Sequence, residues 1–285
     1  MLETYLRRLG LARTGPPSAD GLAALHRAHV ERVAYETIEI HLGRPTTVDP
    51  HESAARVAGG RGGYCFHLNG AFSILLRALG YQVRWHLGGV TGPGSPTVAG
   101  ASGNHLALTV VGLPSPANPG GCWLADVGLG DALYDPLPLL AGDYQQGPFR
   151  FRLAASDVVP GGWRFDHDPA GSFTRMDFAP GLAGPADFAE SHRWLSTDPE
   201  SGFVRILSVQ RRHRDGVDAL RGCVLASITA AGRTERLLDT ERAWFDTLGD
   251  VFGLTFTDVP ANQLAGLWQR TRAAHDRWSA QRVAG

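Results

Sequence analysis

The stretch RGGYCFHLNGAFSILLRALGYQVRWHLGGV, residues 61–90, contains the change of period that decides the fold. In its first half Leu68, Phe72, Leu75, Leu76 and Leu79 recur at spacings of three and four, which lines one face of a helix that stops at Gly80. From Tyr81 the residues turn β-branched and aromatic in short runs, the pattern of a strand. Cys65 stands near the start of this helix of about fifteen residues, where unpaired N–H groups and the positive end of the helix dipole favour a thiolate over a thiol. Gly62 and Gly63 let the backbone turn sharply into it. A cysteine so placed reads either as a nucleophile with a pKa below the free value of about 8.5 or as a small buried core residue.

Working outward, residues 1 to 85 read as helical. Tyr5, Leu6 and Leu9 mark a short helix ending at Gly10 or at the Gly15-Pro16-Pro17 break, and Ser18 or Asp20 caps a second one carrying Leu22, Leu25, His26, His29 and Val33. Beyond the switch, YQVRWHLGGV, HLALTVVG, CWLADVG, FRFRLA and WRFDHD are separated by Pro/Gly-rich loops, which predicts a small antiparallel barrel or sandwich over 82–180. Residues 187–203 predict a helix and a connection. The strands FVRILSVQRR, CVLASIT and RTERLLD follow, then a helical region over 240–281. The expected class is α+β, divided into a helical domain (1–85) carrying the cysteine, a β-barrel domain (86–187) and a mixed C-terminal domain (188–285).

Composition removes several classes of function. The net charge of −1 gives no basic footprint for nucleic acid or anionic lipid. All 27 basic residues are arginine, so neither lysine Schiff-base chemistry nor a P-loop is available. The three cysteines, Cys65, Cys122 and Cys223, form no C-x-x-C pair, which argues against a disulfide scaffold or a cysteine zinc site. No metal site is expected: His26 and His29 lack a third ligand and an H-E-x-x-H pattern. The opening residues lack a signal-peptide apolar run and no stretch reaches membrane-spanning length, so a reducing, cytoplasmic setting is expected.

A nucleophilic thiol needs a base, and His105 has the best setting because it opens the strand HLALTVVG. If CWLADVG pairs with that strand as a hairpin, His105 falls opposite residues 126–129, with Asp126 at one end of that range. A carboxylate there could take the imidazole Nδ1–H and fix its tautomer, although an Asp before Gly also reads as a plain turn residue. His86, His167, His192, His213 and His275 show no partner pattern, and Cys122 and Cys223 read as inert core thiols within apolar strands. In DVGLGDALYDPLPL, Gly128 and Gly130 permit close backbone approach to a ligand, or simply a wide turn.

The chain resembles the arylamine N-acetyltransferases in five blocks that keep that family's order. These are HVERVAYETIEIHLGRP (29–45), RGGYCFHLN (61–69), NHLAL (104–108), DVGLGDALYDPLPL (126–139) and STDPESGFVRILSVQRR (196–212). The resemblance implies an N-terminal helical bundle, a β-barrel and an α/β lid, with a cysteine-protease-like Cys65–His105–Asp126 triad. It implies acetyl-CoA or another acyl-CoA as co-substrate with no permanently bound cofactor, and an aromatic amine or hydrazine as acceptor. Tyr35, Phe66, Leu129 and Phe203 would line the acceptor pocket, and Gly128 and Gly130 would border the coenzyme. An alternative within the same resemblance is an amide synthase that cyclises a chain presented by an acyl carrier protein. A thiol hydrolase and a non-catalytic binding protein are the remaining readings. Three positions depart from the family pattern: His67 for Glu or Gln, Ala34-Tyr35-Glu36-Thr37 for Pro-Phe-Glu-Asn, and Leu129 for Phe.

Overall fold

The computed structural model describes residues 1–12 and 15–284; residues 13, 14 and 285, which the expected first and third domains include, lie outside it. Five helices dominate the first third: α1 (Leu2–Arg8), α2 (Ala19–Arg32), α3 (Ile38–His41), α4 (Pro50–Ala58) and α5 (Cys65–Ala78), with a two-residue strand β1 (Tyr35–Glu36) among them. The ends follow local chemistry. Gly10 takes a φ of +61° just after α1, Ser18 Oγ accepts from Gly21 N to cap α2, and Asp49 caps α4 with Pro50 at its first position.

An antiparallel sheet then unfolds along the chain: β2 (Gln82–Thr91), β3 (His105–Val111), β4 (Trp123–Leu124), β5 (Leu137–Pro138), β6 (Gly142–Gln146), β7 (Phe149–Ala155), β8 (Trp163–Asp166) and β9 (Arg175–Phe178). Its order is β5-β4-β3-β2-β9-β8-β7-β6. The two edge strands are joined through residues 139–141 alone, so the sheet must curl until its ends approach. It is a half-barrel, where the sequence predicts a β-barrel or sandwich. Edge strand β5 is two residues long and one of them, Pro138, has no N–H to give a ladder.

After a 3₁₀ turn (Pro185–Phe188) come α6 (Ala189–Thr197) and α7 (Gly202–Arg205), then β10 (Ser208–His213), β11 (Gly216–Arg221), β12 (Val224–Thr229), β13 (Gly232–Leu237), α8 (Glu241–Asp250) and α9 (Ala261–Ala284). The second sheet runs β1-β10-β11-β12-β13, with Tyr35 opposite Gln210 and Glu36 opposite Val209. A C-terminal unit of 188–285 alone does not account for this, because its first strand is lent by the helical region. Thr37 completes the stitch: its hydroxyl accepts from Ser208 N at 3.1 Å.

Three apolar clusters hold the layers. One joins α1, α2, α4 and α5 to the inner face of β2 and β3 through residues such as Phe72, Leu75, Trp85 and Leu108. A second fills the half-barrel with Phe149, Phe151, Phe165, Met176 and Phe178. The third packs Trp244, Leu248, Phe252 and Trp268 of α8, α9 and their link against the second sheet. Burying such side chains is worth roughly 1.5–3 kcal/mol each, and the α5 seam therefore sets its first turn rigidly against the strand that begins at His105. Among the described residues no helix is long and apolar enough to cross a membrane.

Candidate active site

Cys65 is the first residue of α5 and is 4% exposed. Its N–H and that of Phe66 precede the first intrahelical bond, His67 N to Tyr64 O, so both amides are free to face a ligand. The glycines before it are required by close approach. A Cβ on Gly62 would lie 2.0 Å from Ala34 O, and one on Gly63, whose φ is +155°, would lie 2.6 Å from His67 Cβ and 2.7 Å from its Nδ1. His67 explains its own departure from the family pattern: its Nδ1 accepts from Tyr64 N at 3.3 Å, closing the helix start from inside. Burial first, then Arg56 and His192, hold its pKa well below the ordinary histidine value, so it stays neutral.

His105 and Asp126 meet at 2.7 Å through Nε2 and Oδ2, and both are almost fully buried. The hairpin register that brings them together pairs Thr109 with Leu124 and Val110 with Trp123, within the range the sequence predicts. Two details differ. The strand ends at Leu124, so Asp126 sits in the irregular segment beyond it, and the carboxylate takes Nε2 instead of Nδ1. Nδ1 is thereby left without a partner in the carboxylate. The Cys65 Sγ lies 3.8 Å from the carbonyl of Asn104, the residue before His105. Burial alone would lower the His105 pKa, but the Asp126 charge and hydrogen bond, followed by the hydrogen bond and charge of Cys65, push it up to about 10.

Asn69 was not singled out from the sequence, yet it locks the assembly. Its Nδ2 donates to Asp126 Oδ1 and to Leu106 O, both at 2.6 Å, while its Oδ1 accepts from Val127 N at 2.9 Å. It lies one turn after Cys65, and that i, i+4 spacing was the available signal. Gly128 N also donates to Asp126 Oδ1 at 2.9 Å, so the buried carboxylate accepts three hydrogen bonds. Asn104 adds a second clamp, its amide bonding both N and O of Val90.

The glycine loop serves the protein's own packing. A Cβ on Gly128 would come within 2.8 Å of Cys65 Cα and Asn69 Nδ2, and one on Gly130, at φ +66°, within 2.0 Å of Gln210 Oε1. Of the residues implied for the acceptor pocket, Tyr35 and Phe203 are half-buried and touch edge to face with centroids 6.3 Å apart. Leu129 joins the half-barrel core, and Phe66 is packed between Tyr64, Phe188 and His192. The structure thus brings Tyr35 and Phe203 together and sets Phe66 and Leu129 inside neighbouring cores. A cavity of about 360 Å³ between Arg27, Tyr134, Gln146 and Arg214 includes none of these residues.

Several histidines without a sequence-level partner find one in space. His167 Nε2 lies 3.2 Å from Asp131 Oδ1, His192 Nδ1 lies 2.5 Å from the Tyr64 hydroxyl, and His213 lies 3.8 Å from Asp218. His86 spans the Gly181 carbonyl and the Thr109 hydroxyl. His26 and His29 are buried against Tyr134 O and Tyr5 OH, and no cluster of metal-ligating side chains occurs among the described residues. Cys122 and Cys223 fall just outside strands, with burial raising both thiols, Cys223 to about 11.

The fold around this site is one that known proteins share with this chain. The N-acetyltransferase family model matches residues 18–260. The chain belongs to the arylamine N-acetyltransferase family. It is 30% identical to the arylamine N-acetyltransferase of Mycolicibacterium smegmatis over 272 residues, 90% of this chain and 93% of that protein. It superposes on the Mycobacterium marinum arylamine N-acetyltransferase in complex with CoA with a TM-score of 0.83 and 28% identity, covering 95% of this chain and 99% of the other. It is also 32% identical to Proansamycin X synthase of Amycolatopsis mediterranei, over 55% of this chain and 59% of that protein.

Proposed function

We propose that this protein is an acyl-CoA-dependent N-acyltransferase that moves an acetyl or other short acyl group to an aromatic amine or hydrazine through a thioester on Cys65. The observation that carries the reading is the buried His105–Asp126 pair at 2.7 Å beside a cysteine at the first position of a helix. An imidazole whose pKa is raised to about 10 holds its proton at neutral pH, which suits the partner of a thiolate.

In the first half-reaction the Cys65 sulfur attacks the thioester carbonyl carbon. The bond from that carbon to the coenzyme sulfur breaks, and the coenzyme leaves as a free thiol with the proton that His105 carried. In the second half the amine nitrogen attacks the Cys65-bound carbonyl and gives its proton to His105; the carbon–Sγ bond breaks and the amide departs. The amides of Cys65 and Phe66, which have no partner within the helix, are the donors for the tetrahedral oxyanion in this reading, a contribution worth about 3–4 kcal/mol per donor. An aryl amine suits the second half because it is uncharged and nucleophilic at neutral pH.

Rapid mixing of the enzyme with acetyl-CoA in the absence of amine should release one equivalent of coenzyme A in a burst and add one acetyl to Cys65, detected by peptide mass. No burst with any acyl-CoA removes this mechanism. The match to Proansamycin X synthase favours a second reading, an amide synthase, which acylates Cys65 only from a carrier-bound chain and not from free acyl-CoA.

A further inference from the structure

The chain has six tyrosines, and five of their hydroxyls are committed. Tyr5 meets His29, Tyr64 meets His192, Tyr134 donates to Glu31, Tyr144 donates to the Leu140 carbonyl, and Tyr81 reaches the Ser18 carbonyl at 3.5 Å. Tyr35 is the exception among the described residues: its hydroxyl has no hydrogen-bond partner in the protein. The oxygen is not sealed away either, since the residue is half-buried and this atom is not among the fully enclosed polar atoms. A donor left open in this way can still be satisfied from outside the chain.

The ring that carries it is fixed. Its backbone is held on both sides, by Gln210 in the β1–β10 ladder and by a bridge to Gly63, two residues before the nucleophile. Phe203 meets the ring edge to face, and the bare backbone at Gly130 lets it approach to 3.6 Å of a built Cβ position. The phenol is held in its neutral, donating form by burial first and then by Cys65, Tyr64 and Asp131, which places it within electrostatic reach of the sulfur.

We propose that the Tyr35 hydroxyl is a specificity contact for the acceptor: it hydrogen-bonds an oxygen on the ring of the incoming aryl amine. The site then prefers oxygen-substituted aryl amines over amines of the same shape without the oxygen. This rests on the acyl-transfer reading above and names the acceptor class within it.

The test compares wild type and Tyr35→Phe on matched acceptors, p-anisidine against p-ethylaniline and m-anisidine against m-ethylaniline, with acetyl-CoA or propionyl-CoA as donor. Intrinsic differences in nucleophilicity cancel between the two enzymes. For at least one pair the methoxy-over-ethyl ratio of kcat/KM should fall about five- to tenfold in the variant, the value of one neutral hydrogen bond. If both enzymes transfer acyl groups and the ratio is the same in both for every pair, the Tyr35 contact is overturned and acyl transfer stands. If neither enzyme acylates any amine, the acyl-transfer reading falls and this inference falls with it.

Discussion

Two buried histidine–aspartate pairs occur among the described residues, and only one of them lies beside a thiol. In the first, His105 meets Asp126 through Nε2 at 2.7 Å, and Cys65 adds a hydrogen bond to the same imidazole. In the second, His167 faces Asp131 at 3.2 Å, but its Nδ1 already accepts from Asp168 N at 2.7 Å. Phe149, Phe151, Phe165 and Phe173 surround that ring, and Ser172 covers Asp131 with both its N–H and its hydroxyl. A His–Asp pair becomes a relay only when the second ring nitrogen is left facing a reactive atom. Otherwise the same residues form a buried polar tie between the glycine loop and the half-barrel.

The sharpest way to break the comparison is to remove the reactive atom. Cys65→Ala should lower kcat for acyl transfer by about 10⁵-fold or more in a steady-state assay, whereas no cysteine stands by His167. Next, Asp126→Asn should cost about 10⁴-fold in kcat. Asp131→Asn should instead lower stability by about 1–3 kcal/mol in urea unfolding while kcat changes only a few-fold. Equal kinetic losses in the two variants would mean that the pairs do not differ in role. A smaller effect is expected for Asn69→Ala, which leaves Asp126 Oδ1 and Val127 N short of partners; kcat/KM should fall about 10- to 100-fold without loss of the acylation burst.

The weakest and most graded effect is that of pH. Unfolded His105 would titrate near 6.5, but the folded ring holds its proton to about 10. Its contribution to stability is therefore complete below pH 6.5 and is lost as pH rises through about 10. His29 has the opposite sign. Burial first, then His26 and Arg8, press its pKa down to about 3, so its neutral form stabilises the fold above pH 6.5 and that stabilisation drains as pH falls toward about 3. Melting temperatures across both windows should decline at each end, and His29→Gln should lessen the decline on the acid side alone.

Much of this was legible along the chain. The period change after Leu79 predicted where helices give way to strands, and the glycine pair before Cys65 marked the start of α5. The hairpin register placed Asp126 opposite His105 to within two residues, because loop length and alternation constrain pairing strongly. Asn69 could have been read from helical spacing. Short elements escaped: β1, β5, β9 and β11 carry too few residues or too little alternation to stand out, and their pairing comes from neighbours far away in sequence.

By itself the sequence determined the longer helices and strands and offered the residue types that a thiol-based site would need, since both follow from local periodicity and from the chemistry of single residues. Only the tertiary structure decided which histidine faces a thiol and which is enclosed by phenylalanines, and that Nε2, not Nδ1, takes the carboxylate. It also decided that the sheet stops at a half-barrel and that Tyr35 alone among the tyrosines leaves its hydroxyl open. Those outcomes depend on distances between segments tens of residues apart, where a shift of one ångström makes or unmakes a hydrogen bond, and no local pattern carries that information.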